Sequence, residues 1–445
     1  MKEPLCIYAQ GFPFIIPLYQ FSPYFSPNLH SHFNAMEINS GQKVQVPDNF
    51  LLFVSMLAAV GPFAMQVYVP AIPGMVEEFD SDINVLNSTI STFMLGNALG
   101  QMIGGPVSDQ TGRKRVGLAG LTIFLLATLS IIFTPSIEFL LGARIFQALG
   151  GGLASVICMA SVRDVFPPLE AGRKYAMVLI VMMIAPMLSP FIGSYLMDFG
   201  WRMIFWATFA FALIVMAWHV LKIPETKPVE RVHINVHDML NQFQRVVKMK
   251  VGPLRPILYC LSIGLSTGVV MILVTQSAFV YMEFFGIGPK AFPFFMAINS
   301  LGVMATTFYS NRRQTVIHPH YLFKRGGWIQ LTILVSLLAY LYFFEANLWV
   351  AVVLFALSQA SMGLVYPNGV AVYISHYENL AGSATSINLL FLYGAGSILG
   401  IIPAFFFNGS LIPVVAVMLC SSIACVLIAS FIPEPDLSNS SLKKL

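Results

Sequence analysis

Apolar runs long enough to cross a lipid bilayer recur along most of this chain. From Asn49 onward they cover residues 50–72, 86–108, 116–134, 138–161, 174–197, 201–221, 256–281, 290–310, 325–344, 347–373, 382–406 and 410–432. A helix needs about 20 apolar residues to cross the hydrocarbon core, where every backbone polar group must find an internal partner. The sequence therefore predicts an all-α membrane protein with twelve transmembrane helices.

Composition and motif content exclude several other classes of protein. Only 10% of the residues are charged, whereas a soluble domain carries about 25%. The net charge of +4 does not indicate a nucleic-acid partner, because the cations lie in loops between apolar runs. The cysteines and histidines lack the spacing of a metal site, and the chain has neither a nucleotide-binding loop nor a nucleophile–base pair. We therefore expect no metal, no cofactor and no enzymatic activity, and a lipid bilayer as the surroundings.

The basic residues indicate an orientation in the membrane. Of the 24 Lys and Arg residues, 21 fall in alternate polar segments that include both termini. The opposite loops hold only Arg202 and Lys290, and Arg144 lies within a run. Because Lys and Arg are retained in the cytoplasm during insertion, both termini are predicted to be cytoplasmic.

One long polar segment, 222–255, divides the chain near its midpoint. The predicted organisation is a tail (1–48), a six-helix bundle (49–221), a cytoplasmic linker (222–255), a second six-helix bundle (256–432) and a short tail (433–445). The first tail has no run of spanning length, and a translation start at Met36 is an alternative to a longer cytoplasmic tail. Two six-helix halves around a site near mid-membrane are a known transporter plan.

The short link between the second and third runs, GGPVSDQTGRKRVGL, is the densest motif. It holds Gly105, Asp109, Gly112, Arg113 and Lys114. Its cations favour the cytoplasmic side, and its glycines allow close backbone approach. The spacing resembles the signature loop of the major facilitator superfamily, with Gln110 where that family has a basic residue. The resemblance implies that Asp109 and Arg113 latch the inward gate.

The stretch GARIFQALGGG places Arg144 and Gln147 three residues apart on one helical face. A charge at membrane depth is costly and normally has a function, although an arginine near a helix end can also extend to the interface. This stretch resembles the fourth-helix motif of the same superfamily. That resemblance ties Arg144 to proton coupling.

The fifth run contains IAPMLSPFIGSYL, with Pro186, Pro190 and Gly193. Prolines remove helix hydrogen bonds and favour a bend and close packing. The stretch resembles the antiporter motif of drug:proton antiporters, whose fuller form has Gly where Ser189 stands. In that group the motif seals the two halves against leak.

Further stretches resemble one branch of that group, the Bcr/CflA-like subfamily. They are GPFAMQVYVPAIP, SVRDVFP, GWRMIFW, YPNGVAVYI and AGSATSI, and the resemblance covers roughly residues 50–432. It implies a monomeric inner-membrane carrier of the major facilitator fold that exports small amphiphilic compounds, with protons, by alternating access. The subfamily usually has Asp where Gln66 stands, and Gln cannot change charge near neutral pH. Glu283, at the outer end of the seventh run, is then the best remaining titratable candidate, with a solvated helix end as the alternative.

The implied fold has a central cavity between its halves. On this resemblance the cavity would be lined by Gln66, Tyr68, Arg144, Asn299, Asn368 and Asn388. A weakly polar wall with one cation suits neutral, zwitterionic or anionic amphiphiles, although each Asn could equally link helices.

Two other functions stay open. One is a dedicated exporter or importer of one metabolite, such as a siderophore or nutrient, which Gln66 favours. The other is a transport-inactive membrane sensor or scaffold.

Overall fold

The computed structural model describes residues 46–47, 49–226, 236–314, 316–377 and 380–434. These residues form helices and connecting turns, with one isolated β-bridge between Val251 and Leu254. Almost all of both predicted tails, including the alternative start at Met36, lies outside the described residues. The all-α fold class predicted from the sequence is confirmed.

The helices follow the predicted runs closely. Those of the first half are α1 (Phe50–Gln66), α2 (Ile72–Phe79), α3 (Ile83–Thr111), α4 (Arg113–Ile132), α5 (Ile137–Val165), α6 (Pro168–Leu196) and α7 (Trp201–Lys222). The linker contributes α8 (Val236–Lys248). The second half contains α9 (Ile257–Ser277), α10 (Phe292–Arg313), α11 (Pro319–Phe343), α12 (Leu348–Ala360), α13 (Met362–Ser375), α14 (Ala381–Phe405) and α15 (Ile412–Ser430). A π-helical turn, Ala278–Phe284, continues α9.

Among the described residues, 11 helical segments are long and apolar enough to cross a membrane. Two of them are composite, since α1 with α2 and α12 with α13 each form one crossing. The predicted second span is the exception, because α3 has 29 residues but is not apolar enough for this group. It buries Asn87, Asn97 and Gln101 against other helices, so these polar side chains do not face lipid. The predicted count of twelve is therefore close, with α3 as a polar twelfth helix.

The first crossing is interrupted near its middle. Helix α1 ends at Gln66, a 3₁₀ turn covers Val69–Ala71, and α2 starts at Ile72. Pro70 lies in the interruption and Pro73 in the first turn of α2, and neither has a backbone N–H to continue the helical ladder. The interruption places polar backbone inside the bundle, where other helices rather than lipid surround it.

The two halves meet mainly through α3 against α14 and α6 against α10. We call the end of the bundle with Gly112 and Lys222 the linker end, and the end with Asp82 and Lys290 the opposite end. Toward the linker end, a methyl group at Gly105 would lie 3.7 Å from Ser386 Oγ. Toward the opposite end, Asn87 Nδ2 donates to Gln276 Oε1 across the halves at 3.3 Å. One hydrophobic core extends through both halves, and a second lies in the second half near the linker.

Candidate functional site

Arg113, the first residue of α4, is the centre of the contacts at the tight turn between α3 and α4, which we call the Arg113 loop. Its guanidinium is buried and donates Nη2 to Asp109 Oδ1 at 2.7 Å, Nε to Asp164 Oδ2 at 2.9 Å and Nη1 to Ser108 Oγ at 2.6 Å. Asp164 lies at the end of α5. One arginine therefore ties three helices together through charge-assisted hydrogen bonds.

The start of α4 has a carboxylate cap from a distant part of the chain. Glu225, beyond α7, accepts hydrogen bonds from the backbone N–H of Arg113 at 2.7 Å and of Lys114 at 3.1 Å. A helix N-terminus favours negative charge there. Gly112 has φ 98°, a conformation that favours glycine. The predicted loop residues lie together, whereas their partners Asp164 and Glu225 were not identified as such from the sequence.

Arg144 is fully buried in the first half, so it does not extend to the interface. Its Nη1 donates to Gln147 Oε1 at 2.7 Å and to the Ala64 carbonyl at 3.2 Å. The guanidinium carbon lies 4.1 Å from the ring centroid of Tyr68 and 4.5 Å from that of Phe93. Among the described residues no carboxylate pairs with it; the Tyr68 hydroxyl interacts with the guanidinium, whose Nε and Nη2 make no well-aligned hydrogen bond.

Neutral polar groups fix the surroundings of Arg144. Gln147 Nε2 donates to Thr128 Oγ1 of α4 at 2.8 Å, which orients the amide oxygen toward the guanidinium. The Tyr68 hydroxyl bonds to Thr89 Oγ1 of α3 at 2.6 Å. Arg144 thus lies where α1, α3, α4 and α5 converge. Aromatic rings and the Gln147 amide surround its guanidinium, and we call these surroundings the aromatic cage.

The antiporter-like segment of α6 packs on the interruption of the first crossing. A methyl group at Gly193 would lie 1.7 Å from the Val67 carbonyl oxygen, so only hydrogen fits there. Helix α6 continues past Pro186 and Pro190. Because Pro190 has no N–H, it cannot donate to the Pro186 carbonyl, and Ser189 Oγ donates to that carbonyl instead at 3.1 Å. Gln66, the last residue of α1, is half-buried beside this contact.

The predicted site residues of the second half have different surroundings. Asn368 uses its amide within the protein, donating to Ser310 Oγ at 2.6 Å and accepting from Gln314 at 3.0 Å. Asn299 donates to the Tyr281 hydroxyl at 3.2 Å, and its Oδ1 is buried without a partner. Their assignment to a substrate cavity stays a prediction. Glu283 is exposed at the opposite end, close enough to Asp82 for mutual repulsion.

A polar strip across the halves was missed in the sequence. Gln101 Nε2 donates to Asn97 Oδ1 at 3.1 Å on α3, and the Tyr393 hydroxyl of α14 interacts with both side chains. On the same helix, Asn388 interacts with the hydroxyl of Tyr366 from α13. Asn97 and Gln101 lie four residues apart on one face of a predicted span, which is the signal that could have identified them.

The comparison with known protein families decides what this architecture is. The profile of the Major Facilitator Superfamily matches residues 53–401. This chain belongs to the Major Facilitator Superfamily. Its crossings, its Arg113 loop and its interrupted first crossing are therefore parts of a membrane transporter rather than of an enzyme.

The curated relatives of this superfamily member agree with the branch inferred from its motifs. It is 25% identical over 390 residues to the "Bicyclomycin resistance protein homolog" of Haemophilus influenzae, covering 85% of this chain and 94% of the relative. It is 32% identical over 187 residues to "Multidrug resistance protein D" of Escherichia coli, covering 41% and 46%. The resemblance to the drug:proton antiporter group, Bcr/CflA-like subfamily, is confirmed.

Solved structures support the superfamily fold. The human organic anion transporter MFSD10 superposes with a TM-score of 0.65 at 17% identity, covering 87% of this chain and 100% of that one. The xylose transporter XylE of Escherichia coli gives a TM-score of 0.64 at 14% identity, covering 87% and 99%. At these identities the likeness shows the fold alone.

Proposed function

We propose that this protein is a secondary active transporter that exports small amphiphilic compounds across the bacterial inner membrane by alternating access. The relatives named for bicyclomycin and multidrug resistance support export as the direction and drugs as the substrate class. The working unit is a monomer, because one chain supplies both halves, and both termini face the cytoplasm. Protons are the coupling ion.

The observation that carries the proposal is the caged Arg144. A buried cation without a carboxylate partner costs several kcal/mol, and such residues are retained in membranes when they have a task. Two of its nitrogen atoms make no well-aligned hydrogen bond among the described residues. A ligand with an anionic or strongly polar end would supply further acceptors, so Arg144 would bind substrate, and a titratable group elsewhere, for which Glu283 is the candidate, would couple binding to protons.

The remaining polar groups would set the selectivity for uncharged parts of a substrate. Asn97, Gln101 and Tyr393 form a neutral strip across the halves. Neutral amide and hydroxyl groups recognise polar substituents without requiring a charge of fixed sign. Together with Arg144, they favour neutral, zwitterionic or anionic amphiphiles over dications.

The packing of the halves supports different gating roles for two groups of residues. Asp109 and Arg113 would latch the linker end, where Gly105 lies against α14. Pro186, Pro190 and Gly193 would seal the path beside the interruption of the first crossing. Glu283 is exposed at the opposite end beside Asp82 and would be the titratable group of the coupling.

Proton flux in proteoliposomes tests this proposal. Vesicles with an imposed pH gradient are exposed to a panel of amphiphilic drugs and iron chelators, using wild type, Arg144→Ala and Arg144→Lys. We expect drug-dependent proton release from wild type, its loss in Arg144→Ala and partial retention in Arg144→Lys. Arg202→Ala is the matched control, because Arg202 is in the same half but exposed and paired with Glu78 at 2.6 Å.

Two results would contradict the proposal. Substrate movement without proton movement in wild type would make the protein a facilitator or a differently coupled carrier. Equal losses in Arg144→Ala and Arg202→Ala would show that the effect of Arg144 is not specific to its cage.

Gln66 favours a second candidate, a dedicated carrier of one metabolite. Replacing a carboxylate by a neutral amide removes an attraction for cationic drugs and narrows the range of substrates. The same panel separates the two candidates. Release with many unrelated compounds supports multidrug export, whereas release with a single class, such as the chelators, supports the dedicated carrier.

A further inference from the structure

The linker helix α8 is amphipathic, unlike the helices that cross the membrane. Apolar residues recur at Leu240, Phe243, Val246 and Val247, and polar or basic residues lie between them. This spacing gives a helix an apolar stripe about 100° wide. In a soluble protein such a stripe packs against a core, but here only part of it does.

One edge of α8 is fixed to the second half. Val246 is fully buried, and its carbonyl accepts a hydrogen bond from the Tyr377 hydroxyl at 3.0 Å. Ser383 Oγ of α14 donates to Gln242 Oε1 at 2.8 Å. Phe243 packs against the second hydrophobic core. The orientation of the helix on the protein is therefore set by specific contacts.

The adjacent edge of α8 is only partly covered by the described residues. Leu240 is 51% exposed and Val247 48% exposed. With Phe243, Gln244 and Lys248, all on this one helix, they line a shallow and open surface groove. An apolar groove on a fixed, exposed helix is unfavourable in water and favourable at the boundary between lipid head groups and acyl chains.

The charges around this groove identify the lipid that fits it. From the start of α8 to residue 256 the chain contains Arg245, Lys248, Lys250 and Arg255 and one acidic residue, Asp238. Lys248 lines the groove itself, and Arg245 and Lys250 are exposed beside it. Each such cation near a membrane surface attracts anionic lipids. The groove therefore combines an apolar floor with a rim of one sign of charge.

We propose that α8 lies in the interface of the membrane and binds anionic phospholipid, with Leu240 and Val247 against acyl chains and Lys248 and Lys250 on phosphate groups. The helix contacts α14, which also packs against α3 across the halves. A lipid held by α8 thus sits one helix away from the contact between the halves.

Quenching by spin-labelled lipids tests this proposal on the full chain in nanodiscs. A fluorophore is attached to Leu240→Cys, and separately to Asn241→Cys, after Cys6 and Cys420 are replaced by Ser. Nanodiscs contain phosphatidylcholine with a minor fraction of doxyl-labelled phosphatidylglycerol or doxyl-labelled phosphatidylcholine. We expect stronger quenching at 240 than at 241. At 240 we expect a preference for the anionic lipid that Lys248→Gln/Lys250→Gln reduces on the order of tenfold.

Arg312→Gln/Arg313→Gln is the matched control, because it removes the same charge from another polar segment without touching the groove. It should leave the lipid preference at 240 unchanged. Equal quenching by the two labelled lipids, an equal loss of preference in both double variants, or a label at 240 that stays unquenched would each overturn the proposal.

Discussion

At the scale of single residues, Ser189 shows how one hydroxyl supports a proline-containing membrane helix. The Pro186 carbonyl loses its usual donor to Pro190, and Ser189 Oγ takes that place at 3.1 Å. The related motif has Gly at this position, which could not supply a donor from its side chain. The departure from the motif is therefore a local repair inside α6.

Replacing Ser189 by Ala should leave the Pro186 carbonyl without a donor. We expect a loss of about 1 kcal/mol in the free energy of unfolding, since hydrogen bonds inside membranes contribute at that level. Thermal unfolding in detergent measures the change. Ser194→Ala is the control, because Ser194 Oγ donates to the Phe191 carbonyl at 2.8 Å and no proline removes that carbonyl's backbone donor. Equal losses in the two variants would contradict the repair role.

Gly193 packs directly on the interruption of the first crossing, and its contact is the tightest of any described glycine. Gly193→Ala would place a methyl group 1.7 Å from the Val67 oxygen, and α6 must then move away from α1. We expect a loss of roughly 1–3 kcal/mol and leak of small solutes through proteoliposomes. Gly142→Ala, where a methyl group meets nothing within 4 Å, should be neutral or stabilising. If Gly193→Ala proteoliposomes do not leak and the protein keeps its free energy of unfolding, this contact does not form the seal.

At the scale of helices, the Arg113 loop holds α3, α4 and α5 in one arrangement. Its two carboxylate partners differ in exposure, with 17% for the Asp164 side chain and 48% for the Asp109 side chain. Ion pairs weaken as solvent screens them. The Asp164 contact is therefore the better protected of the two, and we propose that the Asp109 contact, nearer solvent, is the one that changes during gating.

Replacing each of the two carboxylates by Asn tests the role in stability separately from the role in transport. Asp164→Asn should lower the free energy of unfolding by about 2 kcal/mol, because a charged hydrogen bond to a buried guanidinium is lost. Asp109→Asn should cost less than about 1 kcal/mol but reduce the transport rate more. Unfolding and flux measured on the same preparations would check this, and a larger stability loss for Asp109→Asn would contradict it.

At the scale of the whole molecule, the two halves are also joined at the opposite end. Lys290 Nζ lies 3.0 Å from Asp198 Oδ2, and the rings of Phe191 and Phe294 meet edge to face at 5.1 Å. Lys290 belongs to the second half and Asp198 to the first. The only two cations that the sequence placed on this side are both paired, Lys290 across the halves and Arg202 within one half.

Breaking the pair between the halves should shift the conformational equilibrium without unfolding the protein. Exposed ion pairs contribute up to about 1 kcal/mol, so Lys290→Asp should change the ratio of conformations by up to about fivefold. Distances between spin labels on the two halves at this end would measure the shift. Asp198→Lys/Lys290→Asp should restore the ratio, and Glu78→Gln, which removes a pair within one half, should not alter it. A change of equal size in Glu78→Gln would contradict a gating role.

Much of the whole-molecule organisation followed from sequence. Apolar runs predict helical spans because backbone polar groups in lipid must form hydrogen bonds within the protein. The observed helices match the predicted limits within several residues. Only the structure explains how α3 can be this polar within the bundle, because a helix packed against other helices is not constrained to be apolar. The helix in the linker was also missed, since its apolar stripe is short and interrupted by charges.

Within the candidate site, the sequence by itself determined the residue types that cost energy in a membrane. Arg144, the Arg113 loop and the prolines of α6 stand out because charges and missing donors are expensive there. Only the tertiary structure decided their partners. Asp164, Glu225, the Val67 carbonyl and the aromatic cage come from distant parts of the chain. Contacts between helices depend on rotation and depth, which one linear sequence does not specify.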